Sequence, residues 1–157
     1  MVKEYTAYYA SPVGPLEITG TEKMLRSVRF VEKKSKADSP LPPLIQAGLR
    51  QIDEYFRGKR KTFTVKLQVQ GTDFQKKVWN QLMRIPYAKT VSYKDVARAI
   101  GNEKAVRAVG GANGRNNIGI IIPCHRVIAH DGSLGGYGGG LWRKEWLLNH
   151  EKKYSGP

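Results

Sequence analysis

The hydrophobic pattern changes period close to Gly71, and that change limits the fold more than any other feature of this 157-residue chain. Before it, apolar and polar residues mostly alternate, the two-residue period of half-buried strands. Residues 5–10, 16–19 and 25–31 predict three strands, and Ser11-Pro12-Val13-Gly14-Pro15 supplies the turn between the first two. Residues 33–43 mix charge with proline and predict an exposed loop. Leu44, Ile45, Leu49, Ile52, Tyr55 and Phe56 then recur at helical spacing up to Gly58, and Phe63, Val65, Leu67 and Val69 alternate as a further half-buried strand. After Gly71 the period becomes helical. Thr72 and Gln75 fit a capping box, Phe74, Val78, Trp79 and Leu82 follow on one face, and Pro86 ends that helix. Ser92 and Asp95 repeat the cap signature ahead of Val96, Ala97 and Ile100, and Gly101 sits where a helix end favours a left-handed residue. Asn102 is placed to cap the next helix, with Ala105, Val106, Ala108 and Val109. Two short helices joined across Gly101-Asn102 form a helix-turn-helix pattern. The fold class is therefore α+β. Residues 1–71 form a small antiparallel sheet with a helix, read as a structural lobe, and residues 72–157 a mostly helical lobe with the helix-turn-helix.

Charge narrows the partner. Lys plus Arg number 27 against 13 Asp plus Glu, a formal net charge of +14. Residues 74–150 alone carry 12 basic and four acidic side chains, so the second lobe is the better candidate for contact with a polyanion. No apolar run approaches the ~18 residues of a membrane span, and no strongly amphipathic basic helix is present, which favours nucleic acid over lipid. The first residues lack a secretory pattern. The single cysteine excludes an intrachain disulfide and a Cys-rich zinc site, and its simplest home is a reducing compartment, the cytoplasm. Small residues (Val106, Ala108, Gly110) surround Arg107. They permit close approach to a nucleic-acid backbone or narrow groove, or equally tight packing on the preceding helix.

Chemistry concentrates at Pro123-Cys124-His125-Arg126-Val127, which follows the apolar residues 118–122. A thiol is a useful nucleophile only as thiolate, and basic neighbours can lower its pKa. His125 could take the proton directly or through a water, and Arg126 adds positive potential. A lone cysteine is more often a small buried hydrophobe; the proline, base and guanidinium packed around this one argue for reactivity.

The motif Pro-Cys-His-Arg-Val resembles that of the O6-alkylguanine-DNA alkyltransferases, the methylated-DNA–protein-cysteine methyltransferases. Its flanks agree: Ala108-Val109-Gly110-Gly111-Ala112-Asn113-Gly114 before it, Gly135-Gly136-Tyr137 and Lys144-Glu145-Trp146-Leu147-Leu148 after it. The resemblance implies an RNase H-like first lobe and an irreversible transfer, once per molecule, of the alkyl group of O6-alkylguanine to Cys124, with O4-alkylthymine a candidate second substrate. It implies that His125 draws the thiol proton through a water, that Glu151 polarises His125, that Asn116 joins the hydrogen-bond network below the site, and that Tyr93 donates a proton to the guanine. Arg107 would enter the duplex in place of the extruded base. Tyr137, Gly138 and the neighbouring glycines would line the base pocket, and the main chain of Val127 would contact the base. Val106, Ala108, Gly110, Arg115 and Arg126 complete the expected DNA-facing set. The implied partner is double-stranded DNA carrying O6-alkylguanine, bound in the minor groove with little sequence preference by a monomer in a prokaryotic cytoplasm with access to chromosomal DNA. The chain departs from the family at Asn117, usually proline, and at Gly138, often serine. No cofactor is implied. No metal is expected either, since the first lobe has neither Cys nor His. The rival readings are a binding module without catalysis, which Cys124 opposes, a cysteine hydrolase, for which a +14 surface has no evident use, and a transcription regulator, for which the length leaves no second domain.

Overall fold

β1 (Tyr5–Ser11), β2 (Gly14–Gly20) and β3 (Leu25–Phe30) pair antiparallel in the order β1-β2-β3. In the central strand Leu16 and Ile18 point inward and are wholly buried, while Glu17 between them meets Arg29 across the ladder. Helix α1 (Pro43–Phe56) begins with proline at its first position, where the missing N–H has no helical partner to lose. It closes the sheet with Ile45, Ile52 and Tyr55, all fully buried. The computed structural model describes residues 2–156; Met1 and Pro157, the outermost residues of the two expected lobes, lie outside the described residues. The chain divides into two compact units, Met1–Val69 and Gln70–Pro157.

The further strand expected at Phe63–Val69 is corrected by the structure. Phe63, Val65, Leu67 and Val69 are half-buried as read, but the segment bends at Val65 and makes an isolated bridge, Leu25 with Leu67, in place of a strand pairing. Beside that bridge its backbone turns to a side chain: Thr64 N–H donates to Gln51 Oε1 (3.0 Å).

In the second unit, α2 (Asp73–Leu82) carries the capping box, with Thr72 Oγ1 accepting from Gln75 N–H (3.1 Å) and Gln75 Oε1 from Thr72 N–H (3.0 Å). The helix stops at Leu82, before Pro86, because residues 83–85 turn more tightly and bond back to Trp79, Gln81 and Leu82. Two-residue strand β4 (Val91–Ser92) leads into α3 (Tyr93–Ala99), again opened by a reciprocal cap between Ser92 and Asp95. At its end Asn102 N–H bonds Ala97 O (2.9 Å) and Gly101 N–H bonds Arg98 O (3.0 Å), with Gly101 at φ +80°. That is a Schellman stop, and only glycine adopts that φ without strain. Asn102 is thereby part of the C-terminal stop of α3, and the expectation that it caps the next helix is corrected: α4 (Val106–Gly114) starts after Ala105, without a side-chain cap. α4 packs on α2 and α3, and Trp79 Nε1 donates to Ala112 O (2.8 Å) to hold it there. A 3-10 turn (Cys124–Arg126) and β5 (Val127–Ile128) follow, then α5 (Leu141–Tyr154). β5 pairs in parallel with β4, Val91 facing Val127. Among the described residues no helix is long and apolar enough to cross a membrane.

Candidate active site

Asn116 shapes the approach to the cysteine. Its Nδ2 donates to Ile122 O (2.8 Å) and its Oδ1 accepts from Ile118 N–H (2.9 Å), closing residues 116–122 into a loop. Within it Ile120 is held at φ +71° while almost wholly buried. A β-branched residue in that region stores strain that surrounding packing must sustain. The loop delivers Cys124 to the start of the 3-10 turn, and the β4–β5 pair ties that turn to the start of α3, where Tyr93 lies.

Burial pushes the Cys124 thiol up from its ordinary value, against the hydrogen bond of Asn116 and the charge of Lys144. The thiol is therefore protonated at neutral pH and needs a base. This corrects the expectation of a thiol acidified by its basic neighbours: burial outweighs the charge around it, and Arg126 is engaged elsewhere. Arg126 is buried. Its Nε and Nη2 donate to the two oxygens of Glu151 (2.8 and 3.1 Å), its Nη1 donates to Ile85 O (2.8 Å), and its guanidinium lies over the Tyr87 ring. A guanidinium so engaged does not reach DNA, so its place among the expected DNA contacts is corrected too.

Glu151, from α5, is fully buried and accepts from Arg126 Nε and Nη2, Ala88 N–H (3.1 Å) and His125 Nε2 (2.6 Å). Burial alone would raise its pKa, but the hydrogen bonds and charge of His125 and Arg126 outweigh it and hold the carboxyl well below the usual carboxylate range. An ionised carboxylate only accepts, so Nε2 of His125 carries the hydrogen and Nδ1 keeps its lone pair. Burial also holds the His125 ring below its ordinary pKa in spite of Glu151, so it is neutral. Among the described residues Nδ1 has no hydrogen-bond partner, the Cys124 thiol included.

Tyr93, Gly110, Asn113, Gly114, Gly136, Tyr137 and Gly138 line a cavity of about 350 Å³, the scale of a small-molecule site. Burial raises both tyrosine hydroxyls above their ordinary pKa, and Cys124 adds to the shift, so both stay protonated beside the thiol. Gly135 has φ +71°, and a Cβ there would fall 2.9 Å from the Tyr93 hydroxyl; glycine lets the loop close over the ring. Val106, Arg107 and Ala108 form the exposed face of α4, and Arg115 is exposed at its end. Val127 buries its side chain.

Two residues, Asn113 and Lys144, take places in this site that the sequence reading did not give them. Asn113 donates from Nδ2 to the Cys124 carbonyl (3.3 Å). Gly136 lines the cavity, and its carbonyl accepts from Lys144 Nζ (3.1 Å), which also reaches Val127 O (2.7 Å). Lys144 is fully buried, and burial lowers its pKa to about 8 although Cys124 opposes the shift. It staples the glycine loop to β5. A lone lysine in a helix reads as solvated, so no pattern signals this role. Among the described residues no three His, Cys, Asp or Glu side chains gather as a metal site.

A small α+β unit followed by a helix-turn-helix unit with a buried Cys–His–Glu arrangement defines a class with known members. The family model for the 6-O-methylguanine DNA methyltransferase ribonuclease-like domain matches residues 5–69, and that for the DNA-binding domain of the same family matches residues 73–153. The chain belongs to the 6-O-methylguanine DNA methyltransferase family. It is 47% identical over 152 residues, 94% of this chain and 97% of the relative, to a methylated-DNA–protein-cysteine methyltransferase of Methanosarcina acetivorans. A Mycobacterium tuberculosis protein of the same name is 45% identical over 146 residues, 90% of this chain and 88% of its own. Among solved structures, the Mycobacterium tuberculosis O6-methylguanine methyltransferase superposes with TM-score 0.88 at 42% identity, covering 99% of this chain and 96% of that one. Mycobacterium tuberculosis OGT in complex with DNA gives 0.86 at 45% identity, over 94% and 92%.

Proposed function

We propose that this chain repairs DNA by moving an alkyl group from O6 of guanine to Cys124, once per molecule. One observation carries the reading: a protonated, buried thiol next to a neutral histidine whose Nε2 is committed to Glu151 at 2.6 Å, leaving Nδ1 as the one nitrogen able to accept a proton. Because Nδ1 has no direct contact with the thiol, a single water relays the proton from Sγ to His125. The sulfur forms a bond to the alkyl carbon as the carbon–O6 bond breaks, and the bonding pair passes into the guanine ring. Tyr93, kept protonated by burial, donates a hydrogen to the base as that charge develops. The product is a thioether, which thiols do not reduce, so each molecule acts once.

The base must leave the duplex to enter the cavity, at a cost of roughly a few kcal/mol. Arg107, exposed on α4 between the small residues Val106 and Ala108, is suited to fill the gap from the minor groove, and Arg115 to hold phosphate. On this reading residues 72–157 bind DNA and transfer the group, residues 1–71 are structural, the working form is a monomer in a prokaryotic cytoplasm, and sequence preference is slight. The Mycobacterium tuberculosis relative's DNA complex supports the DNA partner. The test is incubation with a methylated oligonucleotide followed by intact mass measurement and peptide mapping. One methyl group on Cys124 and no turnover beyond one equivalent is the expected result, with Cys124→Ser still binding DNA but transferring nothing. Continued processing of excess substrate, or a methyl group elsewhere, overturns it.

A further inference from the structure

We propose that Trp142 is a stacking platform for an unpaired nucleobase of single-stranded DNA, a contact outside the base cavity that rests on the DNA-binding reading above but not on alkyl transfer. Trp142 and Leu141 open α5 side by side and are 57% and 50% exposed. Scattered exposed apolar residues need no explanation, but a tryptophan so bare, next to an exposed leucine, marks a contact surface. The ring is also held in place. The backbone of Gly140, at φ +95°, passes so close to its edge that a Cβ there would fall 3.2 Å from Cδ1 and 3.3 Å from Nε1. Arg143 Nη1 donates to Gly139 O (2.9 Å), and its guanidinium lies 4.5 Å from the centre of the indole. Further along the helix Trp146 and Tyr154 enclose His150, with centroids 4.9 and 5.0 Å from it, so those rings are engaged in packing while Trp142 stands out from it. A fixed aromatic face loses little freedom when a flat ligand settles on it.

Charge and position select the occupant. The 12 basic against four acidic side chains of residues 74–150 attract a polyanion to this lobe. At the ring itself the two signs balance: Arg143 lies over it, and Glu145 is exposed one turn further on. The patch therefore suits a flat, uncharged group of that polyanion and not its phosphates, and in nucleic acid that group is a base. Within a duplex both faces of a base are covered by its neighbours, so only an unpaired base can lie on the indole. Trp142 is four residues from Gly138 in the cavity wall, at most ~14 Å along the chain. The loop between them is pinned through Gly139 O by Arg143 and through Gly136 O by Lys144. A strand that delivers one base to the cavity thus has neighbouring bases within reach of the ring.

The test measures affinity by fluorescence anisotropy for two unmodified single strands of equal length, oligothymidine and an abasic strand with the same number of phosphates. Trp142→Leu keeps an apolar side chain but no ring. It is expected to bind oligothymidine roughly tenfold more weakly than the wild type, the size of one base–aromatic stack, with affinity for the abasic strand unchanged. Trp142→Phe is expected to recover most of the loss. Unchanged affinity of Trp142→Leu for oligothymidine overturns the proposal, and so does an equal loss on both strands. Wild-type dimers in sedimentation that Trp142→Leu dissociates would assign the surface to a second copy of the chain and overturn it as well. No binding of the wild type to either strand overturns the DNA-binding reading itself, a distinct result. Should the variants melt early, tryptophan fluorescence of the wild type decides: quenching by oligothymidine and not by the abasic strand supports the stack, and equal or absent quenching refutes it.

Discussion

Replacing Arg126 with methionine separates the inward role the structure gives this residue from the DNA contact its sequence position suggests. The substitution removes from the buried Glu151 carboxylate the two charge-assisted donors of Arg126, while Ala88 N–H and His125 Nε2 still donate to it. Removing one partner of a buried ion pair costs about 3–5 kcal/mol, in line with two charge-assisted hydrogen bonds at ~1.5–3 kcal/mol each. At ~2–4 °C per kcal/mol for a chain of this size, the melting temperature should fall by roughly 6–20 °C. Arg126→Lys keeps the charge but not the fork and should fall less. The unbalanced carboxylate would also draw His125 toward its protonated form, removing the Nδ1 acceptor and slowing alkyl transfer. Calorimetry measures the melting temperature, and fluorescence anisotropy at several salt concentrations measures DNA affinity. The salt slope should be unchanged, because the guanidinium touches no phosphate. A melting temperature within ~2 °C of the wild type together with a salt slope reduced by ~0.9 would place Arg126 on DNA and refute the reasoning.

Arg107→Ala should slow repair of duplex DNA far more than reaction with a free O6-alkylguanine base, which needs no extrusion; equal slowing on both would mean that Arg107 supports the fold or the thiol. Acidification should destabilise the protein in two stages. His125 is held below its ordinary 6.5, so the unfolded chain takes up that proton first and stability drops as pH falls through that value. Glu151 is held below its ordinary 4.5, so its contribution is present above that value and is lost below it. Urea titrations between pH 7 and 4 check this, and a stability that rises on acidification contradicts it. Lys144→Met should leave the Val127 and Gly136 carbonyls without their donor, at ~1–3 kcal/mol each, and slow alkyl transfer by loosening the glycine loop while leaving DNA affinity unchanged. Unaltered transfer kinetics would show that the staple is not needed.

The elements legible in the sequence are those specified locally. Each cap of α2 and α3 spans four residues, the Schellman stop turns on one glycine, and the strands of the small sheet are successive and joined by short turns. The β4–β5 pair escaped because it joins two-residue segments far apart in the chain, too short for any period to show. α5 escaped for a different reason. Its buried residues are Lys144, Leu147, His150 and Glu151, so the face that packs inward is mostly polar, and hydrophobic periodicity, the usual sign of a packed helix, is missing. Glu151 could be given a role only through the family resemblance, and Lys144, part of a motif of that resemblance, had no role assigned, since both lie far from the cysteine in sequence.

Sign and location of charge part company at the same place. The sequence counts 12 basic side chains in residues 74–150, and a polyanion-binding surface accounts naturally for such an excess. Arg126 and Lys144 belong to that count yet are buried, one paired with the Glu151 carboxylate and bonded to Ile85 O, the other bonded to the Val127 and Gly136 carbonyls. On the proposed reading they serve the chemistry rather than the phosphates. On that reading the same excess serves two purposes: outward, on the exposed Arg107 and Arg115, it is available to DNA, and inward, through Arg126, it keeps Glu151 ionised so that His125 presents a lone pair and not a proton to the cysteine. It follows that the salt dependence of DNA binding should be smaller than the basic count of the second lobe implies, by at least these two residues.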